Sequence, residues 1–182
     1  MIIVPGTGYR PVMADVSVRP ARPDDALAVA SVQLSTWRTA YADLLPESVL
    51  DAPVEELAAA WRRSVELPPS AEHRLLVALE GTEVVGFAAY GPGEDAGQEL
   101  TALLVEPLRG RRGHGSRLLA AVVEHWRSTG AETAQTWVWD RDAVTRAFLG
   151  SAGWAADGAA QGLDTGDAVH RQVRLHTALG PA

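Results

Sequence analysis

Apolar residues along the chain follow two different periods, which predicts a protein that mixes helices and strands. Steps of three and four residues predict helices over residues 24–41, 54–67, 115–128 and 142–151. Alternating patterns and strand-forming residues predict strands over residues 16–19, 74–80, 83–90, 100–105 and 133–140, from residue 153, and over residues 168–175. We therefore expect an α/β fold with about seven strands and about four helices.

The spacing also predicts which helix faces turn to the core. In the first helix the apolar stripe consists of Leu27, Ala30, Leu34, Trp37 and Tyr41. In the last helix the residues expected to face inward are Ala143, Ala147 and Phe148. Core packing is the simpler interpretation for Trp37, whereas the ring of Tyr41 could pack and still present its hydroxyl to a substrate.

The stretch over residues 99–119 is typical of a strand, a loop and a helix start. Its run over residues 100–105 is apolar on both alternating faces apart from Thr101, which indicates a strand covered on both sides. Pro107 ends the strand because proline cannot donate to a strand ladder. The loop then alternates glycine with cationic residues, namely Arg109, Gly110, Arg111, Arg112, Gly113, His114 and Gly115.

Such a loop is predicted to bind an anion, most often a phosphate. The first turn of a helix has unsatisfied N–H donors at the positive end of the helix dipole, and glycine lets the backbone approach a phosphate closely. An ordinary turn with solvated arginines is the alternative interpretation. The lysine of a P-loop is absent between Gly115 and Ser116, and the Rossmann G-x-x-G is not completed, so neither nucleotide motif is satisfied.

Composition narrows the class of protein. The chain has 182 residues, 47% of them apolar, which is enough for one sizeable core. It has no cysteine, which excludes disulfides, thiol catalysis and thiolate metal sites. The net charge of −7 argues against general affinity for nucleic acid. No signal-peptide pattern or long apolar span is present, so we expect a cytoplasmic protein that does not bind membranes.

The loop resembles the coenzyme A pyrophosphate loop of the GNAT superfamily of N-acetyltransferases. In that family a strand ending in V-x-P leads to Q/R-x-x-G-x-G/A and then to a helix. Val105, Pro107, Gly113 and Gly115 occupy the corresponding places, whereas the Gln/Arg position is Gly110. The resemblance therefore lacks one element of the motif.

The predicted order of elements is also that of the GNAT fold. The resemblance covers residues 16–179 and implies a single-domain GNAT fold with a mixed central sheet. Residues 1–15 are expected to form an irregular N-terminal tail. In addition, Trp37, Arg38 and Tyr41 resemble a W-R-x-A-Y segment that lies beside the acceptor pocket in one branch of the family. Trp37 and Tyr41 are therefore implied as substrate-binding residues.

The resemblance implies that acetyl-CoA is the co-substrate and that no metal takes part. Acetyl-CoA would lie where the strand over residues 100–105 splays from the strand over residues 133–140. The implied cofactor-binding residues are Leu103, Leu104, Val105, Arg111, Arg112, Gly113, His114, Gly115, Ser116, Asp142 and Phe148. His114 would contact phosphate rather than the amine.

Two residues are implied as catalytic. A backbone N–H at Val105 would stabilise the tetrahedral oxyanion, an effect that can lower a barrier by about 3 kcal/mol. Glu99 matches the acid of an E-L-x-x-L-x-V strand in many relatives, and it is the first candidate for the base that deprotonates the amine. A solvated glutamate at a strand end is the alternative interpretation of Glu99.

Two positions depart from the family motif N-x-x-A-x-x-F-Y. The tyrosine that often protonates the departing thiolate is Leu149, which cannot donate a proton, and the asparagine is Asp142. The first functional hypothesis is an acyltransferase that acetylates a primary amine of a small molecule or peptide. The second is a non-catalytic acyl-CoA-binding module or sensor, and a homodimer is a further hypothesis.

Overall fold

The computed structural model describes residues 16–94, 97–166 and 168–180. Within these residues the chain forms one sheet of seven strands with helices on both faces. The tail predicted over residues 1–15 lies outside the described residues, and so do residues 95 and 96 of the loop before the fourth strand. No helix in the described ranges is long and apolar enough to cross a membrane.

The predicted α/β fold is confirmed in its order of elements. The strands are β1 (Val16–Pro20), β2 (Arg74–Glu80), β3 (Glu83–Pro92), β4 (Gln98–Val105), β5 (Thr133–Trp139), β6 (Ala155–Asp164) and β7 (Val169–Ala178). The helices are α1 (Ala26–Ala40), α2 (Glu47–Leu50), α3 (Val54–Glu66), α4 (His114–Ser128) and α5 (Ala143–Ser151). Helix α2 was not predicted, because four residues are too few to show a helical period.

The sheet is mixed, in the order β1-β2-β3-β4-β5-β7-β6. Its strands pair antiparallel except for β4 and β5, which are parallel. The larger core cluster packs α4 against the sheet and includes the fully buried Trp126. A smaller cluster beneath α1 contains Val29, Val77 and Phe87. Each such side chain contributes roughly 1.5–3 kcal/mol when it is fully buried.

The inward face of α1 differs from the prediction by about one residue. Leu27 is 53% exposed, whereas Val29 and Ala30 are completely buried. The predicted and observed stripes share Ala30 and Leu34, so the period alone did not determine the rotation of the helix. The position of β3 determines it, because Val29 packs against Phe87 of that strand.

The inward face of α5 was also predicted wrongly. Ala143 and Ala147 are exposed, and Phe148 is half-buried. The buried residue is Leu149, which is 2% exposed and belongs to the larger core cluster. Phe148 instead leans toward the start of α4, where a Cβ on Gly115 would lie 3.5 Å from its ring.

Strands β4 and β5 diverge after a short parallel contact. Their paired residues are limited to Gln98 with Ala134 and Glu99 with Gln135. The Thr136 hydroxyl then donates to the Leu100 carbonyl at 2.7 Å. Beyond this bond the partners along β3 skip Thr101, which is therefore the extra residue of a β-bulge. A bulge bends its strand, and β4 leaves β5 at this position.

The divergence corrects the expectation that residues 100–105 are covered on both sides. Leu100 is buried, but Thr101 is exposed and Leu103, Leu104 and Val105 are half-buried. Their partial exposure follows from the cleft that opens where β5 no longer lies beside them. The start of the apolar run, at Leu100, therefore packs in the core, and its end, from Leu103 to Val105, lines a cavity.

The buried bond between Thr136 and Leu100 is predicted to hold the branch point of the cleft. Replacing Thr136 by valine should lower the free energy of unfolding by about 1–2 kcal/mol, because the Leu100 carbonyl loses a buried donor. The exposed Thr101, whose hydroxyl donates to the Ala89 carbonyl at 3.0 Å, is the matched control, because water can replace that bond. Urea denaturation of both valine variants measures the effect, and equal losses would contradict the prediction.

Candidate active site

A cavity of about 750 Å³ opens at the point where β4 leaves β5. Its walls come from the end of β4, the loop before α4, the first turn of α5 and the end of α1. This volume lies in the range of clefts that bind small molecules, about 300–1,000 Å³. The cavity therefore joins the glycine-rich loop with parts of the chain that are distant in sequence.

The loop presents a helix N-terminus to the cavity. Gly113 is the residue before α4 and has a φ of 83°, a left-handed conformation that suits glycine. Among the described residues no side chain caps the helix, and Arg117 is the first residue whose amide bonds within it, to the Gly113 carbonyl at 3.1 Å. The amides of His114, Gly115 and Ser116 precede that bond, so they are donors for an anion.

The arginines of the loop have different partners. Arg109 forms ion pairs with Glu80 at 2.9 Å and Glu83 at 2.7 Å, and Arg112 forms one with Glu80 at 3.1 Å. Arg111 lines the cavity, has a φ of 60°, and forms no ion pair within the described residues. Arg111 is therefore the loop cation most available to an anion in the cavity.

Most of the predicted cofactor-binding residues border this cavity. The structure brings together Leu103, Leu104, Val105, Arg111, Gly113, His114, Gly115, Ser116, Asp142 and Phe148. Arg112 is not among the lining residues, because its guanidinium is turned to Glu80. The ring of His114 is buried with its Nε2 3.6 Å from Glu80, so the His114 amide, rather than the ring, is the group suited to hold a phosphate.

Tyr41 and Asp142 meet across the cavity. The Tyr41 hydroxyl donates to Asp142 Oδ2 at 2.7 Å, and Asp142 Oδ1 accepts the amide of Thr145 at 2.9 Å, which caps α5. The ring of Tyr41 also contacts Trp139 edge-on, with ring centroids 6.4 Å apart. Burial, together with the hydrogen bond and charge of Asp142, raises the pKa of the Tyr41 phenol.

Two predicted site residues lie away from the cavity. Glu99 accepts a hydrogen bond from Gln135 Nε2 at 3.2 Å and is not among the cavity-lining residues. Gln135 lines a second, smaller cavity of about 340 Å³. Trp37 is half-buried in α1, is not among the residues that line the larger cavity, and belongs to neither of the two core clusters.

Several lining residues were missed by the sequence analysis. Thr36 donates to the Val105 carbonyl at 3.3 Å and so ties α1 to the end of β4. Asp43 and Arg141 add opposite charges to the cavity wall. Arg141 directly precedes Asp142, which is a signal that could have marked it, whereas nothing in the sequence places Thr36 beside β4. No cluster of acidic and histidine side chains in the described ranges could hold a metal ion.

Both the sequence and the fold are similar to known acetyltransferases. The profile of the acetyltransferase (GNAT) family matches residues 34–154. The uncharacterized N-acetyltransferase YuaI of Bacillus subtilis is 30% identical over 128 residues, which are 68% of this chain and 71% of that protein. The segment that the family profile matches contains all the predicted cofactor-binding residues.

Two crystal structures illustrate the similarity of the fold. PaiA N-acetyltransferase from Thermoplasma acidophilum, in complex with coenzyme A, has a TM-score of 0.70 at 16% identity, covering 90% of this chain and 98% of that one. The ribosomal-protein-S18-alanine N-acetyltransferase of Escherichia coli has a TM-score of 0.65 at 15% identity, covering 92% of this chain and 96% of that one.

The raised pKa of Tyr41 predicts that its phenol stays protonated in alkaline solution. Its contribution to stability is complete below the ordinary tyrosine pKa of about 10 and is lost as the pH rises through the raised value. Wild type and Tyr41→Phe should therefore gain equal phenolate absorbance between about pH 9 and pH 11. In Asp142→Asn the ionisation of Tyr41 should move to lower pH. A smaller gain in Tyr41→Phe than in wild type would contradict the burial and pairing of this hydroxyl.

Proposed function

Because the chain belongs to the GNAT acetyltransferase family and is an N-acetyltransferase, we propose that it transfers the acetyl group of acetyl-CoA to a primary amine of a small molecule or peptide. The amine would attack directly, with both substrates bound together. The observation that carries this proposal is the cavity that joins the open edge of β4 to the N-terminus of α4. The cytoplasmic location and the homodimer remain predictions.

The residues at the cavity fit acetyl-CoA. Uncapped amides at His114, Gly115 and Ser116 suit a pyrophosphate, and the Arg111 side chain adds positive charge beside them. The half-buried apolar stretch from Leu103 to Val105 suits the pantetheine arm, because all three residues line the cavity. PaiA, which has the same fold, was crystallised with coenzyme A, and this supports the proposal.

The chain's own residues would orient the reaction and handle its protons. Acetyl-CoA supplies an acetyl group activated as a thioester. We propose that the backbone N–H of Val105 stabilises negative charge on the acetyl oxygen, as pre-aimed donors do in other enzymes. We also propose Glu99 as the base, which would act through water because its carboxylate is bonded to Gln135 outside the cavity.

One observation favours the second candidate, an acyl-CoA-binding module without catalysis. Leu149 stands where the family tyrosine would be, and it is 2% exposed in the core. Position 149 therefore supplies no proton to the departing thiolate. Measurement of binding and of thiol release in the same sample separates an enzyme from a sensor.

Calorimetric titration with acetyl-CoA, followed by an assay of thiol release with a panel of amines, tests the proposed function. We expect binding and amine-dependent release in wild type. Arg111→Ala should weaken binding about tenfold or more, because a charge-assisted contact to phosphate is lost. Arg112→Ala is the matched control and should bind almost as wild type does, since its partner is Glu80. Binding without release from any amine would favour the sensor, and equal effects of the two arginines would contradict the assignment of the loop.

Replacing Glu99 by glutamine tests the proposed base. We expect turnover at neutral pH to fall by at least about tenfold, since general bases contribute 10² or more, while the affinity for acetyl-CoA stays near that of wild type. The matched control is Glu94→Gln, which removes a more exposed carboxylate on the approach to β4. An unchanged rate in Glu99→Gln would exclude Glu99 as the base.

A further inference from the structure

The chemistry of the two side chains determines which residue donates the hydrogen bond between Tyr41 and Asp142. An ionised carboxylate only accepts hydrogen bonds, so at 2.7 Å the Tyr41 hydroxyl must be the donor. An asparagine at position 142 could donate to the phenol instead, and its presence would leave the direction open. The single hydroxyl proton of Tyr41 is therefore used in the bond to the Asp142 carboxylate, and the phenol oxygen of Tyr41 can only accept a further hydrogen bond.

We propose that Tyr41 and Asp142 form the subsite that binds the amino group of the acceptor as a primary ammonium ion or amine. This inference rests on the proposed function and specifies where the second substrate is held. An amine N–H is the donor that an acceptor oxygen requires, whereas a thiolate or a carbonyl oxygen has no proton to offer Tyr41. Tyr41 is thus a residue that binds and positions the amine. It does not replace the family tyrosine that protonates the thiolate, whose position is occupied by Leu149.

The charges around the cavity support an ammonium group at this end. Asp43 and Asp142 border the cavity beside α1 and α5, whereas the available cation Arg111 borders it beside the loop. Arg141 is the cation at the acidic end. A ligand with phosphates at one end and an amine approaching from the other matches this separation of charge.

The partners of Tyr41 indicate what accompanies the amino group. Its ring contacts Trp139 edge-on at 6.4 Å, and Trp139 contacts His170 edge-on at 6.1 Å. These half-buried rings lead from Tyr41, at the cavity wall, to Trp139 on β5 and His170 on β7, which are not themselves among the lining residues. Flat apolar surfaces of this kind bind apolar or aromatic groups. We therefore expect a primary amine with an apolar or aromatic body to bind better than a small hydrophilic amine.

The Thr145 side chain also belongs to this subsite. Thr145 borders the cavity, and its side chain forms a hydrogen bond with the Tyr41 phenol that lowers the phenol pKa, so Thr145 uses part of the accepting capacity of the phenol oxygen. An amine N–H would bond to the remaining lone pair of that oxygen. Its amide is the donor that Asp142 accepts at 2.9 Å. An alanine at position 142 would therefore disturb the cap of α5, whereas asparagine caps helices as well as aspartate does. Asp142→Asn removes the charge and the direction of the bond while it keeps the cap.

The test compares Tyr41→Phe, Asp142→Asn and the control Asp43→Asn. Tyramine and ethanolamine serve as aromatic and hydrophilic amine probes, with thiol release as the readout. We expect the KM for tyramine to rise about tenfold in the first two variants with a smaller change in kcat, because a bond to a charged group is lost in ground and transition state alike. Asp43→Asn should change the KM far less. Calorimetry should give an unchanged Kd for acetyl-CoA in Tyr41→Phe and in Asp43→Asn, which also reports correct folding. Because Asp142 is also a predicted cofactor-binding residue, urea denaturation is the measure of correct folding for Asp142→Asn.

The double variant Tyr41→Phe with Asp142→Asn tests the coupling of the two residues. If Asp142 acts through Tyr41, the double variant should resemble Tyr41→Phe alone. Asp142→Glu, which keeps the carboxylate, should retain more affinity for tyramine than Asp142→Asn does. Independent, additive effects of the two substitutions would overturn the proposed pair.

The remaining outcomes separate this inference from the proposed function. Suppose that wild type acetylates tyramine and that Tyr41→Phe and Asp142→Asn show the same KM for tyramine as wild type. This result would overturn the proposed subsite but not the proposed function. Equal losses in Asp43→Asn and Asp142→Asn would overturn the subsite as well, because a general acidic field would then explain the effect. Wild type that binds acetyl-CoA without thiol release from any amine overturns the proposed function, and the amine subsite with it.

Discussion

The limited pairing of β4 with β5 is the constraint on which the candidate site depends. The strands pair at Gln98 and Glu99, and the Thr136 hydroxyl holds the Leu100 carbonyl at the last point of contact. The bulge at Thr101 then bends β4 away. An unpaired strand edge normally offers its donors and acceptors to another chain. Here the edge borders a cavity enclosed by parts of α1, α4 and α5, so the same groups are open to the cavity.

The acid at the end of β2 determines how the charges of the loop are used. Burial acts to raise the pKa of Glu80, but the guanidinium groups of Arg109 and Arg112 outweigh burial and the net shift is downward. Glu80 therefore stays ionised and holds both arginines beside β2 and β3. Arg111 keeps its charge available at the cavity, and the amides at the start of α4 lie next to it. Arg109 and Arg112 thus anchor the loop, and the Arg111 side chain remains available at the cavity.

The opposite wall of the cavity depends on a contact between residues that are 101 positions apart in the chain. Tyr41 ends α1 and Asp142 begins α5, so their hydrogen bond links the two helices across the cavity. Leu149, about two helical turns after Asp142, packs in the core. The two departures from the family motif therefore have different consequences. Leu149 removes a tyrosine hydroxyl from the site, whereas Asp142 accepts the hydrogen bond of the Tyr41 hydroxyl and so determines its direction.

The sequence by itself determined the order of the strands and of the four longer helices, and it predicts a loop suited to an anion. Hydrophobic period, glycine spacing and the helix start predicted near Gly115 are local properties of the chain, and they do not depend on distant residues. Only the tertiary structure decided that Leu27 faces solvent, that Arg112 turns to Glu80, and that Tyr41 meets Asp142. Each of these outcomes depends on which elements pack side by side. Packing brings together residues whose separation in sequence carries no signal of their contact.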